Sequence, residues 1–259
     1  MRTQQVVKII TVFLVLSTSN IANSATINVP TCSRDDVQSA IDTSSTGDKI
    51  IIPAGNCSWL SSISIPDSKK IWLIGNGYEN TVITISGTAI SMNHSGARIT
   101  GIGFLLATGR GPIINVNGTA WRIDHCLFNN TTNRSEISIE SNARNSTTNP
   151  EGLIDNNVFI NGRVVVNGFF TFDKCCGAWA ESLGLGTAAA VYMEDNSATR
   201  PDGLTNKNII DSNRGGRYVF RFNKVDGTYL ECHSLQDDVE RATRKWEIYR
   251  NKITSSIAM

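Results

Sequence analysis

Proline is scarce, six in 259 residues, and neither sign of charge prevails: 24 basic side chains face 23 acidic ones, for a net charge of +1. That balance excludes the broad basic surface by which a chain holds nucleic acid non-specifically. No CxxC pair or paired-histidine spacing points to zinc, and Asp124-His125-Cys126 is too short a cluster to make a site. The opening apolar run, Ile9 to Leu16, falls short of the roughly 20 residues that span a bilayer. Glycine is plentiful (21), and Asn, Ser and Thr crowd between short apolar runs. Such a chain makes many short strands joined by turns, not long helices.

The N-terminus reads as an address. Arg2 and Lys8 precede the run Ile9 to Leu16, and the small and polar stretch Ser17 to Ala25 follows. This is the pattern of a secretory signal peptide. Residues 1–25 are therefore expected to be removed, with cleavage after Ser24 or Ala25. Residues 26–259 are expected to form one domain outside the cytoplasm, extracellular or periplasmic, with no membrane insertion after cleavage. In that compartment Cys32 and Cys57, which flank the first helix and strand of the mature chain, are the expected disulfide. The pairing of Cys126, Cys175, Cys176 and Cys232 stays open, although Cys126 sits where a small buried thiol fits.

One phrase recurs. Trp121 to Phe128 reads WRIDHCLF, and Gly152 to Phe159 reads GLIDNNVF. Val191 to Ala198, Tyr218 to Val225 and Trp246 to Ile253 repeat the pattern, with a weaker copy ending at Phe104. Successive copies end 24, 31, 39, 27 and 28 residues apart, as coils of a solenoid with loops of unequal length would. Ile123, Ile154, Met193, Phe220 and Ile248 make one inward column; Phe128, Phe159, Ala198, Val225 and Ile253 make another. Between them the chain must bend. Asn156 and Asp195 suit a left-handed corner; His125, Phe222 and Arg250 suit it less well. The next position holds Cys126, Asn157, Asn196, Asn223 and Asn251, and four stacked asparagines form an amide ladder. An all-β parallel β-helix satisfies all of these; an antiparallel sandwich gives no reason for the repeated Asn. At the start, Ser33 is a helix N-cap, and Val37, Ala40 and Ile41 form an apolar face suited to covering the open end of the first coil. The chain stops at Met259 with no evident C-terminal counterpart, so a fragment is one reading.

The stretch from Cys32 to Trp59, followed by IWLIGNG (Ile71 to Gly77), resembles the start of pectate-lyase-like right-handed parallel β-helix proteins. Later stretches, YMEDN from Tyr192, DSNRGGRYVFRFN from Asp211 and RKWEIYRN from Arg244, resemble a secreted bacterial branch of that group. The resemblance implies extracellular polysaccharide as the ligand; lyases, hydrolases, esterases and inert binders all occur there. For uronate lyases it implies a cation that neutralises the sugar carboxylate and a basic side chain that removes the neighbouring proton. No complete lyase motif is present. LQDD, Leu235 to Asp238, follows the histidine in the wrong order for the hydrolases.

Two regions could carry chemistry. Asp124, Asp155 and Glu194 share one column, thickened by Asp195 and followed by Arg221. Stacked about 4.8 Å apart, such carboxylates need a neutralising partner. Either a cation held by Asp155, Glu194 and Asp195, for which Ca2+ is suited, or Arg221 supplies it. The C-terminal region is the second: residues 200–259 carry 11 of the 24 Lys and Arg. There Glu231 and His233 fall on one strand face, a proton carrier beside a carboxylate. The expected catalytic set is His233, Arg217 and Glu231, with Lys207 another candidate base; Arg214, Arg221, Arg244 and Trp179 are expected to bind substrate. The expected activity is β-elimination on an acidic polysaccharide by a monomer; the alternative is a non-catalytic glycan-binding or surface module.

Overall fold

In the computed structural model, residues 24–93, 96–108, 111–130, 137–142, 149–168, 182–201, 208–232 and 242–254 are described. They form three parallel sheets of nine, eight and seven strands that wind into a right-handed parallel β-helix. One coil shows the plan. Thr119–Asp124 lies in the nine-stranded sheet, Leu127–Asn130 in the eight-stranded sheet and Ile137–Asn142 in the seven-stranded sheet. Glu151–Asp155 then returns to the nine-stranded sheet one coil on, paired in parallel with Thr119–Asp124.

The repeated phrase is the register of this stack. Ile123, Ile154, Met193, Phe220 and Ile248 are successive partners in the nine-stranded sheet. All but Ile248 are fully buried. Phe104, Phe128 and Phe159 stack face to face, with ring centroids 5.5 and 5.0 Å apart. Ala198, Val225 and Ile253 continue that column. On the last coil Trp246 and Ile253 keep 57% and 47% of their surface exposed.

Between the columns every corner is left-handed. His125, Asn156, Asp195, Phe222 and Arg250 have φ of 52, 55, 56, 58 and 56°. The three residues that suit the corner poorly adopt it all the same, because the ladder beside them fixes the bend. Asn157 Oδ1 accepts from the Cys126 N–H at 2.9 Å. Asn196 Oδ1 accepts from the Asn157 N–H at 2.9 Å, Asn223 Oδ1 from the Asn196 N–H at 3.0 Å, and Asn251 Oδ1 from the Asn223 N–H at 2.9 Å. Each Nδ2 donates back to a carbonyl of the preceding coil: Ile123, Ile154, Met193 and Phe220, all at 2.9 Å. Cys126, at the head of the ladder, is a buried free thiol whose pKa burial pushes up to about 12.

The N-terminal end is closed as the sequence predicts. The helix Arg34–Thr43 buries Val37, Ala40 and Ile41, and Ser33 accepts from the Asp36 N–H at 3.2 Å. Cys32 and Cys57 are bonded, with Cα atoms 5.8 Å apart, and the Trp59 indole donates to the Cys32 carbonyl at 3.0 Å. Cys175 and Cys176 lie outside the described residues.

Asn196→Ala removes the acceptor of a buried N–H and two donors to carbonyls. It should cost about 3 kcal/mol, read from the urea denaturation midpoint.

Candidate functional site

Residues alternate in and out of a strand, so each sheet presents an outer face built from every second residue. On the nine-stranded sheet the inward Ile123, Ile154 and Met193 leave Arg122 and Asp124, Leu153 and Asp155, and Tyr192 and Glu194 outside. Arg98 and Arg221 continue the face on either side. The acids are matched by arginines, coil by coil. Arg98 grips Asp124 with two hydrogen bonds, 2.7 and 2.6 Å. Arg122 grips Asp155 likewise, 2.8 and 2.6 Å, and lies 3.6 Å from Asp124. Arg221 pairs with Glu194 and donates to the Tyr249 hydroxyl at 3.0 Å. Asp155 and Glu194 are therefore held by guanidinium groups, and Asp195 is an exposed corner residue. A cation here would have to displace an arginine. Arg221 as counter-ion was legible in the sequence; Arg122, two residues ahead of Asp124, and Arg98, two residues ahead of Thr100, were not.

Asp124 is fully buried. Burial alone would raise its pKa. Hydrogen bonds from Arg98 and His125, with the charges of Arg98 and Arg122, outweigh that and hold it below the usual carboxylate range. His125 Nδ1 lies 2.7 Å from Asp124 Oδ2, and its ring is 59% exposed.

On this outer face lies an open groove of about 580 Å³, lined by Trp121, Arg122, Leu153, Tyr192, Glu194 and Arg221 with Ala188 and Ala190 as one wall. Gly152 is required there, since a Cβ would lie 2.3 Å from the Trp121 ring. The wall belongs to the long insertion ahead of Tyr192. It is tied to a strand two coils away: Lys245 Nζ donates to the carbonyls of Gly184 at 2.7 Å and Thr187 at 3.3 Å. Glu247 accepts from the Gly186 N–H at 3.0 Å, and the Tyr192 hydroxyl donates to the Thr187 carbonyl at 2.7 Å.

The seven-stranded sheet has a different outer face. Its registers align Asn117, Asn142, Asn167 and Asn213, and beside them Asn115, Glu140, Val165 and Asp211. Asn167 donates to Asn142 Oδ1 at 2.9 Å and Glu140 Oε1 at 2.8 Å; Asn142 donates to Asn115 Oδ1 at 2.9 Å. This second asparagine column was missed in the sequence, although INVN, ESN, VVN and DSN all end on it. Glu231 reaches the end of the face: its N–H bonds the Ile210 carbonyl at 2.9 Å, and its carboxylate accepts from Asn208. Arg163 lies 3.9 Å from Asp211 and 3.4 Å from Asn208 Oδ1. Burial, then the charges of Glu231 and Asp211, push the Tyr229 hydroxyl up. Burial likewise raises the Cys232 thiol, with Asp211 and Glu231 adding to it.

The sequence-predicted residues divide accordingly. Arg214, in a left-handed turn, Arg217, starting Arg217–Arg221, and Arg244, whose N–H bonds the Gly216 carbonyl at 2.9 Å, gather where the chain passes from the seven- to the nine-stranded sheet. Arg217 is 7% exposed, so its guanidinium is enclosed rather than offered to a polymer. Arg221 stands at the far end of its strand, with Glu194. His233, Trp179 and Lys207 lie outside the described residues. Among the described residues no three His, Cys, Asp or Glu side chains gather as metal ligands, and no helix is long and apolar enough to cross a membrane.

No family model matches the sequence, and no curated protein matches it. Solved structures do match. A pectin methylesterase from Aspergillus niger is 11% identical, covering 91% of this chain and 88% of its own, with a TM-score of 0.55. Escherichia coli YbhC is 9% identical over 96% of this chain and 88% of its own, TM-score 0.58. A pectin methylesterase variant in complex with a hexasaccharide is 10% identical over 92% and 91%, TM-score 0.51. At these identities the likeness is one of fold: the pectate-lyase-like right-handed parallel β-helix.

Asp124→Asn should lower stability by about 3 kcal/mol at pH 7, because it leaves Arg98 without its buried partner. The folded pKa of Asp124 lies below its unfolded value, so its contribution is complete above about pH 5 and is lost as pH falls through 3.8 toward the folded value. Urea denaturation across pH 7 to 3 should show wild type and variant converging at the acid end.

Proposed function

We propose that this chain is a secreted carbohydrate-active protein, a cation-assisted lyase that takes acidic polysaccharide along the outer face of its seven-stranded sheet. The observation that carries the reading is the chemistry of that face. Amide and carboxylate oxygens of Asn142, Asn167, Glu140, Asp211 and Glu231 stand on consecutive coils. Asn142, Asn167 and Asp211 are buried, at 5, 6 and 3% exposure, so the half-buried Glu140 and Glu231 are the oxygens within a sugar's reach, and their carboxylates repel a polyuronate unless a cation bridges the two. The donors are all hard oxygens, which suit Ca2+. That cation, when bound, would neutralise the uronate carboxylate. The hexasaccharide held by a structural neighbour supports a glycan as ligand, and the Cys32–Cys57 disulfide suits an oxidising compartment.

In this reading Glu231, fixed by Asn208, orients the end of the site, and His233 moves the proton. Arg214 and Arg244 supply positive charge at its edge, with Arg217 enclosed behind them. Elimination removes the proton beside the sugar carboxylate, forms a carbon–carbon double bond and expels the glycosidic oxygen, which takes up a proton. The second reading, a glycan-binding module without turnover, draws on the enclosure of Arg217.

Incubating the protein with a polyuronide panel, with and without Ca2+, should raise absorbance from new double bonds only when Ca2+ is present. His233→Ala should lower that rate about 10²- to 10⁴-fold without loss of folding. Binding without any absorbance change establishes the second reading instead.

A further inference from the structure

We propose a second and separate site: the groove on the nine-stranded sheet binds an uncharged stretch of glycan. It rests on the preceding reading only in taking the ligand to be a carbohydrate. The volume, about 580 Å³, is that of a small-molecule cleft. Its floor is apolar at Leu153, against which the C–H face of a sugar packs, beside the Tyr192 ring, one face of which Arg221 covers at 4.9 Å. Its wall is already in place, because Lys245, with a side chain buried to 0% exposure, and Glu247 hold residues 184–187 by three hydrogen bonds. A preformed wall lowers the ordering cost of binding.

Charge decides the class of sugar. Along this face three guanidinium groups, Arg98, Arg122 and Arg221, meet three carboxylates, Asp124, Asp155 and Glu194. Those that line the groove cancel too: Arg122 and Arg221 against Glu151 and Glu194. An incoming carboxylate would meet an Arg122 whose charge Asp155 already neutralises, and displacing Asp155, which is 4% exposed, would leave a buried, unpaired charge. That penalty exceeds what an exposed ion pair returns. A paired guanidinium still has spare donors, since a two-bond grip uses two of its five N–H groups, and the carboxylates keep free lone pairs. Spare donors and acceptors of fixed direction, with no net charge, match hydroxyls, which both donate and accept.

The test uses one backbone with and without charge: a uronate hexamer and its full methyl ester, titrated calorimetrically into the whole protein. The ester should bind at least about tenfold tighter in the groove than the free uronate. Its affinity should be unchanged between about 50 and 200 mM salt. Ala188→Trp, an exposed wall position, should weaken ester binding about tenfold or more and leave uronate turnover on the other face untouched. Glu194→Gln, which frees Arg221, should move the preference about tenfold toward the free uronate. The proposal is overturned if neither hexamer binds, or if Ala188→Trp leaves ester binding unaltered. It is also overturned if that variant abolishes uronate binding equally, or if it dissociates a dimer, which would make a second copy the occupant. A failed elimination assay with ester binding intact refutes the lyase and leaves this site standing.

Discussion

The hydrogen bond from each corner N–H to the asparagine of the next coil is the constraint on which the rest of the structure depends. A solenoid of three-sided coils could slip, since nothing in a short apolar strand distinguishes one register from its neighbour two residues away. The asparagines remove that freedom. Each one satisfies a buried N–H of the coil before it and a carbonyl of that same coil, so a slipped coil would leave several buried polar groups unpaired at about 1 to 3 kcal/mol each. Once the register is fixed, the inward columns follow, and the outer faces follow from them. Arg122 meets Asp155, and Asn167 meets Glu140, only because Asn157 holds its coil in step with that of Cys126.

How much of this the sequence discloses depends on the range of the interaction. The ladder and both inward columns lie within an eight-residue phrase, so they survive loops of any length and could be aligned directly. The corner conformations at Phe222 and Arg250 contradict local preference, yet the fold imposes them, because losing a ladder step unpairs both an N–H and a carbonyl at about 1 to 3 kcal/mol each, against roughly 1 to 2 kcal/mol for a left-handed residue. The second asparagine column was hidden because its strands follow turns of variable length, which break the alignment on the first phrase. Arg98 and Arg122 were overlooked because each pairs with an acid on the next coil: Arg122 does so past Asp124 in its own strand, and Arg98 has Thr100 at that position. The enclosure of Arg217 and the anchoring of the wall by Lys245 depend on what packs over a strand, which no pattern along one strand records.

The two outer faces answer opposite electrostatic problems with the same geometry. A spacing of about 4.8 Å forces like charges close together. On the nine-stranded sheet Asp124, Asp155 and Glu194 are each cancelled by an arginine from a neighbouring coil, which leaves a neutral, hydrogen-bonding surface. On the seven-stranded sheet amides dilute the acids instead, and the field of Asp211 and Glu231 persists at Tyr229 and Cys232. A neutral face favours hydroxyls, and an acidic amide face favours a cation and what the cation brings with it.

Amide hydrogen exchange tests the governing role of the ladder most directly. If the ladder fixes the register, the N–H groups of Cys126, Asn157, Asn196 and Asn223 exchange only through global unfolding. Their protection should then equal that of the fully buried strand centres at Ile154 and Met193, although they sit at corners. Exchange at these four positions about 100-fold or more faster than at the strand centres would show that the corners open by themselves, and would contradict the account.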